Sequence, residues 1–280
     1  MEYLEARRKL VEDRLETVVD RVEPAELSDR LAHTALSGGK RVRPTVAMLV
    51  CEAAGGDAED AVDFGVGIEL VHDASLVVDD IIDRSDVRRG TKSAWAEYGY
   101  GPAIVGSDGM LGEAFGLFSP DPRAMEVVAE AMVELGQGEA SELVDRPTNQ
   151  AEYMELARRK TGALFRAAAE LGAIAADADA ATIEAFGEYA EKVGVAFQIR
   201  DDVLDATADP AELGKPTGQD AEVGRPSVVE VTDLDAEEAN ELAHEQSDAA
   251  LAALDRVGVS DSEAVDLLRD FAAFVVTRER

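Results

Sequence analysis

The chain carries one cysteine, Cys51, in 280 residues. That count excludes an internal disulfide and argues against a structural zinc site. No run of 18 or more apolar residues occurs, so no transmembrane helix is expected. The opening MEYLEARRKLVEDRLETVVDRVE is charged throughout and lacks the apolar core of a signal peptide. A soluble, cytoplasmic protein is therefore expected. Runs of alternating β-branched residues are also missing, which argues against a sheet-based fold. Lysine is scarce, with 6 against 21 arginines, and there are 3 histidines.

What is abundant is acid. Aspartate and glutamate number 59 against 27 basic residues, for a net charge of -32. The excess runs the whole length of the chain instead of forming a tail. Such self-repulsion is tolerable where molar salt shortens the Debye length to about 3 Å, so a halophilic protein is expected. Nucleic acid is excluded as a natural partner, because the overall field repels phosphate.

Apolar residues recur at helical spacing, as in Val66, Leu70 and Val77, or Phe186, Tyr189, Val193 and Phe197. Glycine and proline gather where helices should stop, in SGGKRVRP, AAGGD, RRGTK, YGYGP, SPDP, DRPT and ELGKPTGQ. The pattern predicts about ten helices of roughly 12 to 28 residues. They form one all-α domain over 1–280, with a long irregular stretch near 206–228.

Two aspartate triplets carry the first chemical signal. DDIID holds Asp79, Asp80 and Asp83, and DDVLD holds Asp201, Asp202 and Asp205. On a helix, i and i+4 share a face, so each triplet presents carboxylates together, as Mg²⁺ with substrate phosphates requires. With 28 aspartates in the chain, about 0.3 such triplets are expected by chance, and two together about 3% of the time. Both triplets close apolar helical runs, where carboxylates oppose the helix dipole by about 0.3–1 kcal/mol each. Bound metal would offset that cost.

The sparse cations form the second signal. Lys40, Arg41 and Arg43 follow Gly38 and Gly39 in SGGKRVRP, which lacks P-loop spacing. Lys160 stands in RRKTG and Lys215 in LGKPTGQD. Arg88 and Arg89 should leave the helix end toward whatever the metal holds, or else pair with surface carboxylates. His72 lies two helical turns before Asp79 on a similar face, a position that would also suit a core histidine. The set suits two diphosphates, one bridged by metal and one held by Lys, Arg and His.

In this order and spacing, GGKRVRP, HDASLVVDDIIDRSDVRRG, RRKTGALF, FQIRDDVLD and LGKPTGQD resemble the trans-isoprenyl diphosphate synthases, the polyprenyl synthetase family. The resemblance covers about 38–230. It implies an all-α bundle around a central cavity, generally a homodimer, that condenses an allylic diphosphate with isopentenyl diphosphate using Mg²⁺. Asp79, Asp80 and Asp83 would hold Mg²⁺ on the allylic diphosphate from one side, and Asp201, Asp202 and Asp205 from the other. Lys40, Arg43, His72 and Arg89 would bind isopentenyl diphosphate. Arg88, Lys160, Thr161, Gln198 and Lys215 would contact the allylic substrate, and Asp79, Asp83, Lys160 and Lys215 would carry the chemistry. Arg225, assigned to the same binding set, stands where the family usually has lysine, and Lys92 where proline is common.

In the family, bulk just before the first triplet limits product length. Ala74 and Ser75 are small here, which implies about twenty carbons or longer, with Met110, Phe115 or Phe118 as a floor. Two other readings stay open. A head-to-head synthase or terpene cyclase shares the acid motifs but does not need GGKRVRP. A non-catalytic partner subunit usually loses one triplet, and both are intact.

Overall fold

Thirteen α-helices make up most of the computed structural model, which describes residues 2–207 and 226–278. They are α1 (Glu2–Val19), α2 (Ala25–Ala35), α3 (Val42–Ala53), α4 (Val62–Ile82), α5 (Ala94–Tyr98), α6 (Tyr100–Phe118) and α7 (Pro122–Val144). Then come α8 (Gln150–Ala157), α9 (Ala163–Ala175), α10 (Ala180–Thr207), α11 (Val228–Val231), α12 (Ala236–Val257) and α13 (Glu263–Thr277). The only strands among the described residues are β1 (Val87–Arg88) and β2 (Thr91–Lys92), paired antiparallel. The all-α expectation holds. The expected helix number was too low because α5, α8 and α11 are too short to display a helical period. No described helix is long and apolar enough to cross a membrane.

The chain divides into two compact units. One comprises Met1–Val127 and Leu171–Asp177, the other Val128–Glu170 and Ala178–Arg280. In the first, α4 packs along α6 and against α3 and α1. Its core includes Leu15, Leu31, Met48, Ile68, Leu70, Met110 and Phe118, all fully buried. Each such side chain stabilises the fold by about 1.5–3 kcal/mol. Gly67 lets Phe118 in. A Cβ at that position would lie 2.5 Å from Phe118 Cζ, so any other residue must displace the ring. Cys51 is buried here, its Sγ donating to the Asp57 carbonyl at 3.2 Å. Burial, with Asp60, Glu52 and Asp57 nearby, pushes its thiol up to about 12.

In the second unit α10 packs along α12 and against α13. Phe165, Phe186, Tyr189 and Val193 are buried in its core, and the Tyr189 hydroxyl donates to the Leu268 carbonyl at 2.7 Å. Sequence sets the ends of α12 plainly. The Asp235 carboxylate accepts from the backbone N–H of Glu237 and Glu238, both at 2.9 Å. Glu238 in turn accepts from the Asp235 N–H at 2.9 Å, completing a capping box. Gly258 ends the helix in the left-handed region at φ 71°.

Candidate functional site

In the first unit, α4 delivers the first aspartate triplet in its last turn. Asp79 and Asp83 are half-buried, and the Asp83 N–H closes the helix on the Asp79 carbonyl at 2.8 Å. The Asp79 carboxylate makes no hydrogen bond or ion pair among the described residues. Asp80 departs from expectation. It is buried at 3% exposure, and one of its oxygens takes both Nε and Nη2 of Arg88, at 3.0 and 2.5 Å. Set about 100° around α4 from Asp79, it is turned inward and anchors Arg88.

Arg88 and Arg89 do not project from the helix end. Val87–Arg88 and Thr91–Lys92 form a hairpin closed by Arg89 and Gly90, both at positive φ (52° and 79°). That two-residue turn matches strand twist. It sends Arg88 back to Asp80 and Arg89 back to Asp73, whose Oδ1 accepts from Arg89 Nη2 at 2.9 Å. Left-handed backbone at a non-glycine residue costs about 1–3 kcal/mol and persists only where surroundings over-determine it.

Arg41, one of the cations of SGGKRVRP, also turns inward. It too has positive φ, 49°, and is 1% exposed. Its Nε and Nη2 reach Glu12 at 2.8 and 3.3 Å, Nη1 reaches Glu69 at 3.0 Å, and Nη2 donates to the Ala35 carbonyl at 2.6 Å. Burial pulls its pKa down, but Glu12, Glu69 and Asp73 outweigh it and the net shift is upward. Arg41 is a buried structural tie. Lys40 beside it is exposed.

Arg43 and His72 lie half-buried near this tie. Burial lowers Arg43 to about 10, with Glu69 and Asp73 opposing and Arg89 adding to the fall. His72 is held neutral, well below its ordinary value, by burial and then by Arg43, Arg89, Arg88 and Arg41. Asp73, fully buried, is pushed up to about 8 by burial and Glu69, against Arg89 and Arg41. Gly39, at φ 149°, lies against the cluster, and a Cβ there would stand 3.3 Å from Arg89 Cζ. Several guanidiniums around a neutral imidazole, beside a carboxylate pair one turn apart, make a setting for a phosphate-bearing anion.

Closer to the helix start, Ala74 is buried, and its carbonyl accepts from Ser107 Oγ of α6 at 3.1 Å. Ser75 Oγ donates to the His72 carbonyl at 2.8 Å. Met110 and Phe118 are fully buried on α6, and Phe115 is half-buried.

In the second unit, Lys160 and Thr161 sit in a π-helical turn, Arg158–Gly162, joining α8 to α9. Such single turns often mark functional sites. Lys160 is ion-paired with Glu139 at 3.2 Å and with Glu142. Thr161 donates to Gln198 Oε1 at 2.8 Å, and Gln198 Nε2 donates to Asp202 Oδ1 at 2.8 Å. Asp202 is the second departure from expectation. It is 3% exposed, and its Oδ2 accepts from the Tyr153 hydroxyl at 2.6 Å and the Val228 N–H at 2.8 Å. Burial raises it to about 6 against the pull of these bonds. Asp202 thus anchors Tyr153, Gln198 and Val228, while Asp201 and Asp205 are both half-buried.

Asp201 pairs with Arg278, which also donates to the Phe197 carbonyl at 3.1 Å and lies 3.8 Å over the Phe197 ring. Arg200 fixes Arg278 in turn, donating to its carbonyl at 2.7 and 3.0 Å. No motif signalled Arg278, Tyr153 or Glu12. Asp73 could have been suspected as a charged residue on the apolar face of α4. Lys215 and Arg225 lie outside the described residues.

The donor chemistry in both units suits Mg²⁺. Asp79 with Asp83, and Asp201 with Asp205, each set two carboxylates one helical turn apart, hard oxygen donors of the kind that ion takes. Mg²⁺ is commonly held by one or two carboxylates completed by water and substrate phosphate.

Residues 24–256 match the polyprenyl synthetase family. The chain is 33% identical to a short chain isoprenyl diphosphate synthase of Methanothermobacter thermautotrophicus, over 98% of this chain and 86% of that protein. It is 30% identical to a geranylgeranyl diphosphate synthase of Methanosarcina mazei, over 96% of this chain and 92% of that one. Its fold superposes on the crystal structure of geranylgeranyl pyrophosphate synthetase from Pyrococcus horikoshii with a TM-score of 0.85 and 32% identity, covering 99% and 98% of the two chains.

Proposed function

Because the chain belongs to the polyprenyl synthetase family, we propose that it condenses an allylic diphosphate with isopentenyl diphosphate. The product is a prenyl diphosphate of about twenty carbons or longer, as the name of the Methanosarcina relative suggests. The carrying observation is that His72 on α4 and Arg89 on the hairpin after it, the segment that also bears Asp79 and Asp83, cluster with Arg43 of α3.

Lys40, Arg43, His72 and Arg89 bind isopentenyl diphosphate. A neutral His72 serves as a hydrogen-bond partner there without adding charge. Asp79 and Asp83 in the one unit, and Asp201 and Asp205 in the other, would hold Mg²⁺. The metal supplies charge neutralisation and orientation for the allylic diphosphate. Lys160, Thr161 and Gln198 contact that diphosphate, and Lys160 takes up charge gathering on the leaving oxygens. Asp202 and Asp80 keep Gln198 and Arg88 in place. Lys215 and Arg225 complete the substrate contacts. No side-chain nucleophile is called for, because the double bond of isopentenyl diphosphate attacks the allylic carbon as the C–O bond to the allylic diphosphate breaks, and the resulting cation then loses a proton to the departed diphosphate. The small Ala74 and Ser75 allow growth past fifteen carbons, and Met110 or Phe118 provides a floor.

The same reading makes the chain a single polyprenyl synthetase domain over 1–280, cytoplasmic and salt-adapted, acting as a homodimer. Tyr100, Ile104 and Val105 support the last point, being about half exposed (49–53%) on α6. The test is purified protein in high KCl with Mg²⁺, an allylic primer and labelled isopentenyl diphosphate. The expected outcome is a labelled twenty-carbon or longer product, lost in Asp79→Ala. A fifteen-carbon end product refutes the length assignment, and activity unaffected by Asp79→Ala refutes the mechanism.

A further inference from the structure

Asp73 is fully buried in α4, one residue after His72. A buried ion pair is weak ground for stability, since apolar residues of similar volume often serve as well. The carboxylate's presence therefore calls for a role beyond packing. One oxygen accepts from Arg89 Nη2 at 2.9 Å. The other stands 3.7 Å from Arg41 Nη1 and has no hydrogen-bond partner.

Arg89 sits at the tip of the β1–β2 hairpin with φ at 52°. It is crowded by like charge, because Arg43, Arg88 and Arg41 all lie near enough to act on the same imidazole. Left alone, repulsion would move the guanidinium away from its neighbours, and the strained backbone at Arg89 would be free to relax. Asp73 opposes both, and the guanidinium it holds rests against Gly39, the residue before Lys40. The clamp thus joins the hairpin tip to the α2–α3 loop, on each of which one isopentenyl diphosphate ligand is placed above.

We propose that Asp73 is a positioning residue that presents Arg89 to isopentenyl diphosphate. This rests on the role given to Arg89 under Proposed function. Asp73 touches no substrate. It acts by preorganising the guanidinium, so that the cost of ordering it is met before the substrate arrives.

The test compares Asp73→Ala, Asp73→Asn and Arg89→Ala in steady-state kinetics, with calorimetric binding of isopentenyl diphosphate to the metal-free protein as a readout apart from turnover. Asp73→Ala should raise the KM for isopentenyl diphosphate about tenfold and weaken its binding equally, with kcat and the allylic KM within about twofold of wild type. Asp73→Asn keeps the acceptor for Arg89 and should recover most of the loss. If Asp73→Ala fails to fold, Arg89→Lys serves in its place, since it keeps the charge but loses the fork that reaches Asp73. It should show the same selective rise. Arg89→Ala without effect on isopentenyl diphosphate overturns the role of Arg89 and the proposal with it. Arg89→Ala with an effect, but Asp73→Ala without one, overturns the proposal alone. A fall in kcat and thermal stability together with a rise in both KM values also overturns it, because that marks a residue serving only the fold.

Discussion

Replacing Tyr153 by phenylalanine removes one hydroxyl and leaves the ring. In the folded protein that hydroxyl donates at 2.6 Å to Asp202, a carboxylate 3% exposed. At pH 8 Asp202, raised to about 6, is ionised. A hydrogen bond to a charged group contributes about 1.5–3 kcal/mol, and without the hydroxyl that oxygen keeps only the Val228 N–H. Tyr189→Phe is the control. It deletes an equally buried hydroxyl whose acceptor, the Leu268 carbonyl at 2.7 Å, is neutral. That loss should cost about 0.5–1.5 kcal/mol. Urea unfolding at pH 8 in high KCl measures both, and Tyr153→Phe should be the more costly by about 1 kcal/mol or more. Activity should fall in Tyr153→Phe as well, because Asp202 also orients Gln198, which bonds Thr161. Equal costs for the two variants would refute the picture of Asp202 as a charged internal anchor.

Gly67→Ala should destabilise by about 1–3 kcal/mol, since its Cβ overlaps Phe118. Gly112→Ala on α6, where a Cβ meets nothing within 4 Å, should be neutral or stabilising by up to about 1 kcal/mol, and unfolding midpoints compare the two. Glu170, raised from 4.5 to about 7 by burial and only partly held down by Arg166, holds a proton in the native state that the unfolded chain releases. Its contribution is therefore full below 4.5 and is lost as pH rises to 7. Glu170→Gln should flatten the stability profile across that window, and an unchanged slope would contradict the assignment. Dialysis into dilute buffer should unfold the protein, as followed by far-UV circular dichroism, because a net charge of -32 loses its screening.

Much of the site was legible because its chemistry is carried by spacing. DDIID and DDVLD lie where expected, in the last turns of α4 and α10. Which aspartates of each triplet face outward was not legible, since a triplet's spacing does not reveal its neighbours. Asp80 and Asp202, expected among the metal ligands, are buried and hold Arg88 and Tyr153, which reach them from other elements. The hairpin was missed for a different reason. Two-residue strands are too short to show alternation, and Arg-Gly at the turn does not advertise positive φ as Asn-Gly does. Arg41 looked like its neighbours Lys40 and Arg43. Only the fold brings Glu12 of α1 and Glu69 of α4 to it.

For spectroscopy the chain comes almost blank. Thiol reagents attack the thiolate, and Cys51 is both enclosed and held near 12. Nitroxide or fluorescent maleimides at neutral pH should therefore leave the native protein unlabelled. New cysteines could be added without first removing the old one, for instance at Val87 in one unit and Val144 in the other, which are 59% and 85% exposed. Distances between two such probes, measured with and without substrate, would follow the two units through the catalytic cycle in a wild-type background.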